Sequence, residues 1–245
     1  MGVGALSWEM VTLMYTRILV SALFAGACAG LIAGILQLIF VQPVLLHAEL
    51  YESGKLVHFG AEAVSSRPDL PGFDMVRDIL SLIFTMLTYT GYALLLVAVM
   101  SLAEERGAPI DGRWGILWGV AGFVVFHLAP GFSLPPEVPG VAAADVGARQ
   151  LWWFATVGVS AVALWLIAFG TFRLMWVVAA ILLVIPHIIG APEPDAFSGP
   201  VPTEIGALFA ARAFGVGLVA WVLLGSFAGY FWRREGGHEN AGRKV

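Results

Sequence analysis

The forty residues from Leu151 to Gly190 contain one charged side chain, Arg173. A helix crosses the hydrocarbon core of a bilayer in about 20 residues, so this stretch is too long for one crossing and must turn. Gly170-Thr171-Phe172-Arg173 supplies the turn and predicts two antiparallel spans. The rest of the chain agrees: 59% of its 245 residues are hydrophobic and 12% are charged, about half the charged fraction of a soluble domain. Apolar runs give six spans, at 17–42, 79–102, 113–130, 151–170, 173–190 and 205–232. Lipid tolerates no open sheet edge. The expected fold class is therefore all-α: a polytopic membrane protein built as a bundle of six transmembrane helices. Residues 17–232 form its single domain, with 1–16 as a lead and 233–245 as a basic tail. The spans 113–130 and 173–190 are short and both end in His and Pro, which predicts irregular backbone at each end.

Charge orients the bundle. With six spans, one side carries Arg17, Arg106, Arg113, Arg173, Arg233, Arg234, Arg243 and Lys244, and the other carries Lys55, Arg67, Arg77 and Arg149. The positive-inside bias puts both termini in the cytoplasm. His47, His58, His127 and His187 then lie outside with eleven of the seventeen acids: Glu49, Glu52, Glu62, Asp69, Asp74, Asp78, Glu137, Asp145, Glu193, Asp195 and Glu204. An acidic, histidine-bearing face collects divalent cations. The surrounding partner is membrane lipid. The basic residues are too dispersed to track nucleic acid. The lone Cys28 excludes an internal disulfide, and the run past it through Phe40 favours a retained helix over a cleaved signal.

Several features read first as packing. Ala22, Gly26, Gly30 and Gly34 recur every four residues, a ridge of small side chains that lets a second helix approach closely. Gly225 and Gly229 repeat that step near the end. Ser81, Thr85, Thr88 and Tyr92 share one helical face, either bonded to their own backbone or lining a polar lane continued by Thr156 and Ser160. Pro43 is expected to bend the exit of the first span, leaving His47 and Glu49 in a loop over 44–78. Arg212 lies about two turns into the last span and needs a partner, for which Glu204, Glu137 and Glu193 are the candidates.

The densest chemistry runs from His127 to Trp153. There Pro130, Pro135, Pro136 and Pro139 stiffen a loop holding Glu137, and Arg149 opens the next helix. Trp152 and Trp153 beside it suit the aromatic belt at a membrane interface. Imidazole and carboxylate suit borderline metals such as cobalt, nickel and zinc. His47, His127, His187 and Glu137 are the candidate metal ligands, with Arg149, Arg212, Glu204, Glu193, Ser81, Thr85 and Thr88 as permeation or structural polar groups. The order of His and Pro, acidic loop and Arg recurs weakly in 17–102, 113–170 and 173–232. Three degenerate two-helix hairpins would bring the three imidazoles to one centre.

The runs His127-Leu-Ala-Pro130, Leu134-Pro-Pro-Glu137-Val-Pro-Gly140, Arg149-Gln150-Leu-Trp152-Trp153 and Pro186-His187-Ile-Ile-Gly190-Ala-Pro192 resemble the CbtA family of predicted cobalt transporter subunits, from Met14 to about Trp232. The motif positions are His127, Pro130, Pro136, Glu137, Arg149, His187 and Pro192. The resemblance implies a bacterial inner-membrane subunit linked with cobalamin synthesis and paired with a small single-helix CbtB-type partner bearing a His-rich end. A homo-oligomer is left open.

Together these readings predict a permease subunit for a divalent transition metal, cobalt first and nickel second, with no resident cofactor. The alternative is a non-transporting scaffold or cofactor-holding subunit. Enzyme patterns such as HExxH and GxSxG are absent, and so is the phosphate loop GxxxxGK[ST].

Overall fold

The computed structural model describes residues 3–58 and 67–242, with side chains over 12–58 and 67–236. Glu62 and the side chain of His238 lie outside the described residues. Helices follow one another with no strand among the described residues. They are α1 (Val3–Leu36), a π-turn (Gln37–Val41), α2 (Gln42–Glu52), α3 (Met75–Glu104), α4 (Trp114–Phe123), a second π-turn (Val124–Leu128), α5 (Ala129–Ser133), α6 (Val146–Phe169), α7 (Arg173–Ile189) and α8 (Thr203–Gly242).

Five spans are long and apolar enough to cross a membrane: Thr12–Glu52, Met75–Glu104, Trp114–Ser133, Val146–Phe169 and Thr203–Gly236. The sixth, α7, is apolar but has 17 residues, about 26 Å by helical rise against a core of roughly 30 Å. The expected count of six thus becomes five long helices and one short one, and the turn before Arg173 falls where the sequence placed it.

The first span departs most from expectation. Helix continues through Pro43 to Glu52, so His47 and Glu49 are helical rather than in a loop beginning at 44. Proline lacks an N–H and its ring crowds the preceding turn. The π-turn relieves that crowding just upstream, where Gln42 donates its N–H to the Gln37 carbonyl. Pro43 then enters as an early residue of α2. The same device stands before Pro130, so the span from Trp114 runs on to Ser133 and His127 sits in a π-turn rather than in irregular backbone.

The chain forms two compact units, one of residues 1–35, 74–122 and 218–245, the other of 36–73 and 123–217. Each unit draws segments from all three expected hairpins, so the threefold repeat does not organise the packing. The register agrees: His47 lies four residues after its proline, His127 three before and His187 one after.

In the first unit the glycine ridge does what its spacing promised. Gly26 faces Thr90, Gly30 faces Met86 and Gly34 faces Leu82, while Ala22, Ala25, Ala29 and Ala33 are buried. A second close approach joins α4 to α8, where Gly115 meets Gly225 and Gly119 meets Trp221, itself fully buried. Arg17 donates from Nε and Nη2 to the Trp232 carbonyl at 3.0 and 2.9 Å, and its guanidinium lies 3.8 Å over the Trp232 ring. Ahead of α4, Asp111 Oδ1 accepts the N–H groups of Arg113 and Trp114 at 2.8 and 3.0 Å.

The Trp114 amide above all, then the Arg113 amide and the charges of Arg233 and Arg113, hold the Asp111 carboxyl below the usual carboxylate range. A depressed folded value stabilises the protein above the unfolded value near pH ~4 and stops doing so as pH falls through the folded value. Asp111→Ala should therefore lower the melting temperature above about pH 5 and make little difference below about pH 3. Melting curves of both proteins across that range check this.

In the second unit α6 packs against α7, and a small core forms from Val44, Ala48 and Tyr51 of α2, Val138 of the loop between α5 and α6, and Val201 and Ile205. This core positions the helix of His47 and the loop of Glu137.

Candidate functional site

Val44, Ala48 and Tyr51 are spaced by four and three, so they share one face of α2. His47 flanks that face, its ring 5.6 Å from that of Tyr51. Its Nε2 is buried and bonded to no described residue. Against the same face packs Val138, 4% exposed, which anchors the loop that carries Glu137. Gly140 turns this loop with φ +83, a conformation that disfavours side chains, and Ala142 donates its N–H to the Ser198 carbonyl at 2.8 Å. Glu137 is thus held by a buried neighbour as well as by prolines. Its carboxylate accepts from Arg149 Nη2 at 2.7 Å. One small core links the helix of His47 to the loop of Glu137.

His187 lies in the last turn of α7, one residue past Pro186. Its Nδ1 is 2.8 Å from Ser133 Oγ at the end of α5. Phe132 and Trp152 meet its ring edge-on at 5.1 and 6.2 Å. Trp152 also donates Nε1–H to the Pro186 carbonyl at 3.3 Å, which ties α6 to the turn bearing the imidazole. No described residue bonds His187 Nε2. His127 stacks on Phe123 at 5.7 Å and lies against Gly217, where an added Cβ would come within 3.2 Å of its ring.

The structure therefore pairs His187 with Ser133, joins His47 and Glu137 through one core, and gives His127 a separate aromatic setting. No three His, Cys, Asp or Glu side chains form a metal-holding group among the described residues, so the expected convergence of three imidazoles and Glu137 on one centre is not seen there.

The remaining polar candidates divide differently from the sequence reading. Arg212 does not pair with Glu204, Glu137 or Glu193. Its Nη1 donates to the Phe40 carbonyl at 2.9 Å, inside the first π-turn. A widened turn displaces carbonyls from ordinary helical partners, and a guanidinium is a strong donor for one of them. Glu204 accepts only from the adjacent Thr203 hydroxyl at 3.3 Å, and Glu193 is exposed. Arg212→Met should cost about 1–2 kcal/mol, the scale of a charge-assisted bond at a half-buried site; unfolding in mixed detergent measures it.

Thr85 and Thr88 donate to the Ser81 and Phe84 carbonyls at 2.8 Å each, so their hydroxyl protons belong to their own helix. Ser81 and Thr88 are exposed while Thr85 is buried, so the three do not share an enclosed lane. Thr156 donates to the Trp152 carbonyl at 2.9 Å, and Ser160 is buried with its Oγ unbonded.

Ser133 is the neighbour of a candidate ligand that the sequence did not announce. Its hydroxyl closes the apolar span from Trp114, but 54 residues separate it from His187. For Trp152, the bond to Pro186 adds a second role to that of an interfacial aromatic.

No curated protein and no solved structure matches the chain. A family model described as "Probable cobalt transporter subunit (CbtA)" matches residues 15–233, which include every side chain placed above. With that match running from α1 almost to the end of α8, the chain belongs to the CbtA family of probable cobalt transporter subunits.

Proposed function

We propose that this chain is the permease subunit through which a divalent transition-metal ion, cobalt first and nickel second, crosses the bacterial inner membrane. The observation that carries the reading is the pair of imidazoles in the second unit, His47 and His187, whose Nε2 atoms have no partner among the described residues. A metal-binding histidine commonly has its other nitrogen held by a second group, which orients the ring and fixes the tautomer. Ser133 does this for His187: with the hydrogen on Nδ1, Ser133 Oγ accepts it and the lone pair is left on Nε2.

Metal cargo must leave as well as bind, so several weak sites serve better than one tight one. In this reading the cation meets His47 and Glu137 first, Glu137 exchanging Arg149 for the metal, and then passes His187 and His127. These groups sit on the outer side, with both termini cytoplasmic as the basic residues favour. An inside-negative potential drives a cation inward by about 2.3 kcal/mol per charge for each 100 mV. The word subunit in the family's description supports a partner, for which the small CbtB-type helix with a His-rich end is the candidate.

Cobalt absorption tests the ligands. Detergent-purified protein titrated with Co²⁺ should show the ligand-field bands of nitrogen coordination, and His47→Ala and His187→Ala should each weaken binding roughly 10- to 100-fold. An unchanged titration in the double variant would remove these imidazoles from the cargo path.

A further inference from the structure

We infer that the cleft between the start of α4 and residues 226–234 of α8 is a binding site for a phosphate group, supplied by the headgroup of an anionic phospholipid. The cleft has a volume of about 710 Å³, and Asp111, Arg113, Ile116, Tyr230, Arg233 and Arg234 contribute to its lining. It lies wholly within the first unit.

Three arginines and one carboxylate line the cleft. Asp111 Oδ1 already accepts two backbone N–H groups, and its Oδ2 is 3.7 Å from Arg233 Nη1, an ion pair too long for a hydrogen bond. The Arg233 side chain remains 74% exposed, and Arg113 and Arg234 are exposed too. The fold thus gathers two positive charges more than it neutralises, in a concave space. Guanidinium forks match phosphate oxygens in pairs.

Position supplies the second half of the argument. The cleft lies where the span Met75–Glu104 has ended and Trp114–Ser133 begins, beside the point at which the apolar run of α8 gives way to Arg233 and Arg234, the depth of a lipid headgroup. Beyond it along α4, Trp114, Ile116, Leu117 and Val120 are exposed by 49, 43, 58 and 37%. A soluble phosphate would use only the guanidiniums, whereas a phospholipid uses the guanidiniums and lays its chains along this apolar strip. Basic pockets between spans are the sites at which anionic headgroups are held.

The test uses the full chain purified in detergent, doped with cardiolipin, phosphatidylglycerol or phosphatidylcholine, with bound lipid counted by native mass spectrometry and pyrophosphate run as the soluble arm. The two anionic lipids should be retained and phosphatidylcholine lost. Arg113→Gln with Arg234→Gln, both exposed positions, should weaken retention about tenfold, with only a small fall in melting temperature from the lost attraction of Arg113 for Asp111. Asp111→Asn keeps a capping oxygen but removes the opposing charge, and should tighten retention several-fold. Pyrophosphate should displace cardiolipin from the wild type and not add to its loss in the double variant. Thermal protection by pyrophosphate with no retention of anionic lipid would keep the phosphate site and overturn the lipid as its source. Equal retention by wild type and double variant, or equal retention of neutral and anionic lipids, would overturn the site.

Discussion

His187→Ala is expected to lower the initial rate of cobalt uptake roughly 10- to 100-fold while leaving the amount of folded protein unchanged. The imidazole sits in the last turn of α7, and its loss leaves the Trp152 bond to the Pro186 carbonyl in place. Little of the fold depends on the ring, so a large loss of uptake would report chemistry rather than unfolding. Ser133→Ala separates the two further. It removes the group that holds Nδ1 and should reduce uptake about tenfold, the lower end of the usual range for orienting partners. Ser133→Thr, which keeps the hydroxyl, should restore most of the rate. A purely structural His187 would instead show falling protein abundance and melting temperature together, with uptake per folded molecule unchanged.

The largest effect on stability is expected at Gly225. An added Cβ there would collide with the Gly115 carbonyl and the Gly119 backbone, neither of which is a side chain able to swing aside. Overpacking a well-fitted contact costs about 1–3 kcal/mol when side chains adjust. Gly225→Leu must move a backbone, so its cost should lie at or beyond the upper end of that range. Gly91→Ala is the control. That glycine is helical too, but nothing lies within 4 Å of its added Cβ. Alanine there should be neutral or stabilising by up to about 1 kcal/mol, from helix propensity alone. Unfolding of both variants in detergent reads the difference. Similar melting for the two would mean that α4 and α8 are not in close contact.

Such contacts differ in how far the sequence announces them. Periodicity reveals the small-residue ridges because the need for close approach is written locally, every four residues, as at Gly26, Gly30 and Gly34. Apolar length reveals most of the spans for the same reason. It fails at Pro43, since proline usually ends a helix and nothing in Gln37–Val41 announces a π-turn. Partners across the fold are the least legible. Burial of Arg212 points to a carboxylate, yet the widened turn offers a carbonyl at Phe40. Ser133 and His187 are remote in sequence and meet because α5 packs against α7. Glu137 and Arg149, only twelve residues apart, belong to one stretch of the sequence, and they do pair.

Transport itself is measured by following labelled Co²⁺ into sealed vesicles containing the wild-type chain, with and without its small partner, under an imposed inside-negative potential. Uptake should be saturable, rise with the potential, fall when Ni²⁺ competes and drop sharply in His187→Ala. Uptake no greater than in protein-free vesicles, with the partner present, would contradict the permease role, as would equal uptake by the wild type and the His187→Ala variant.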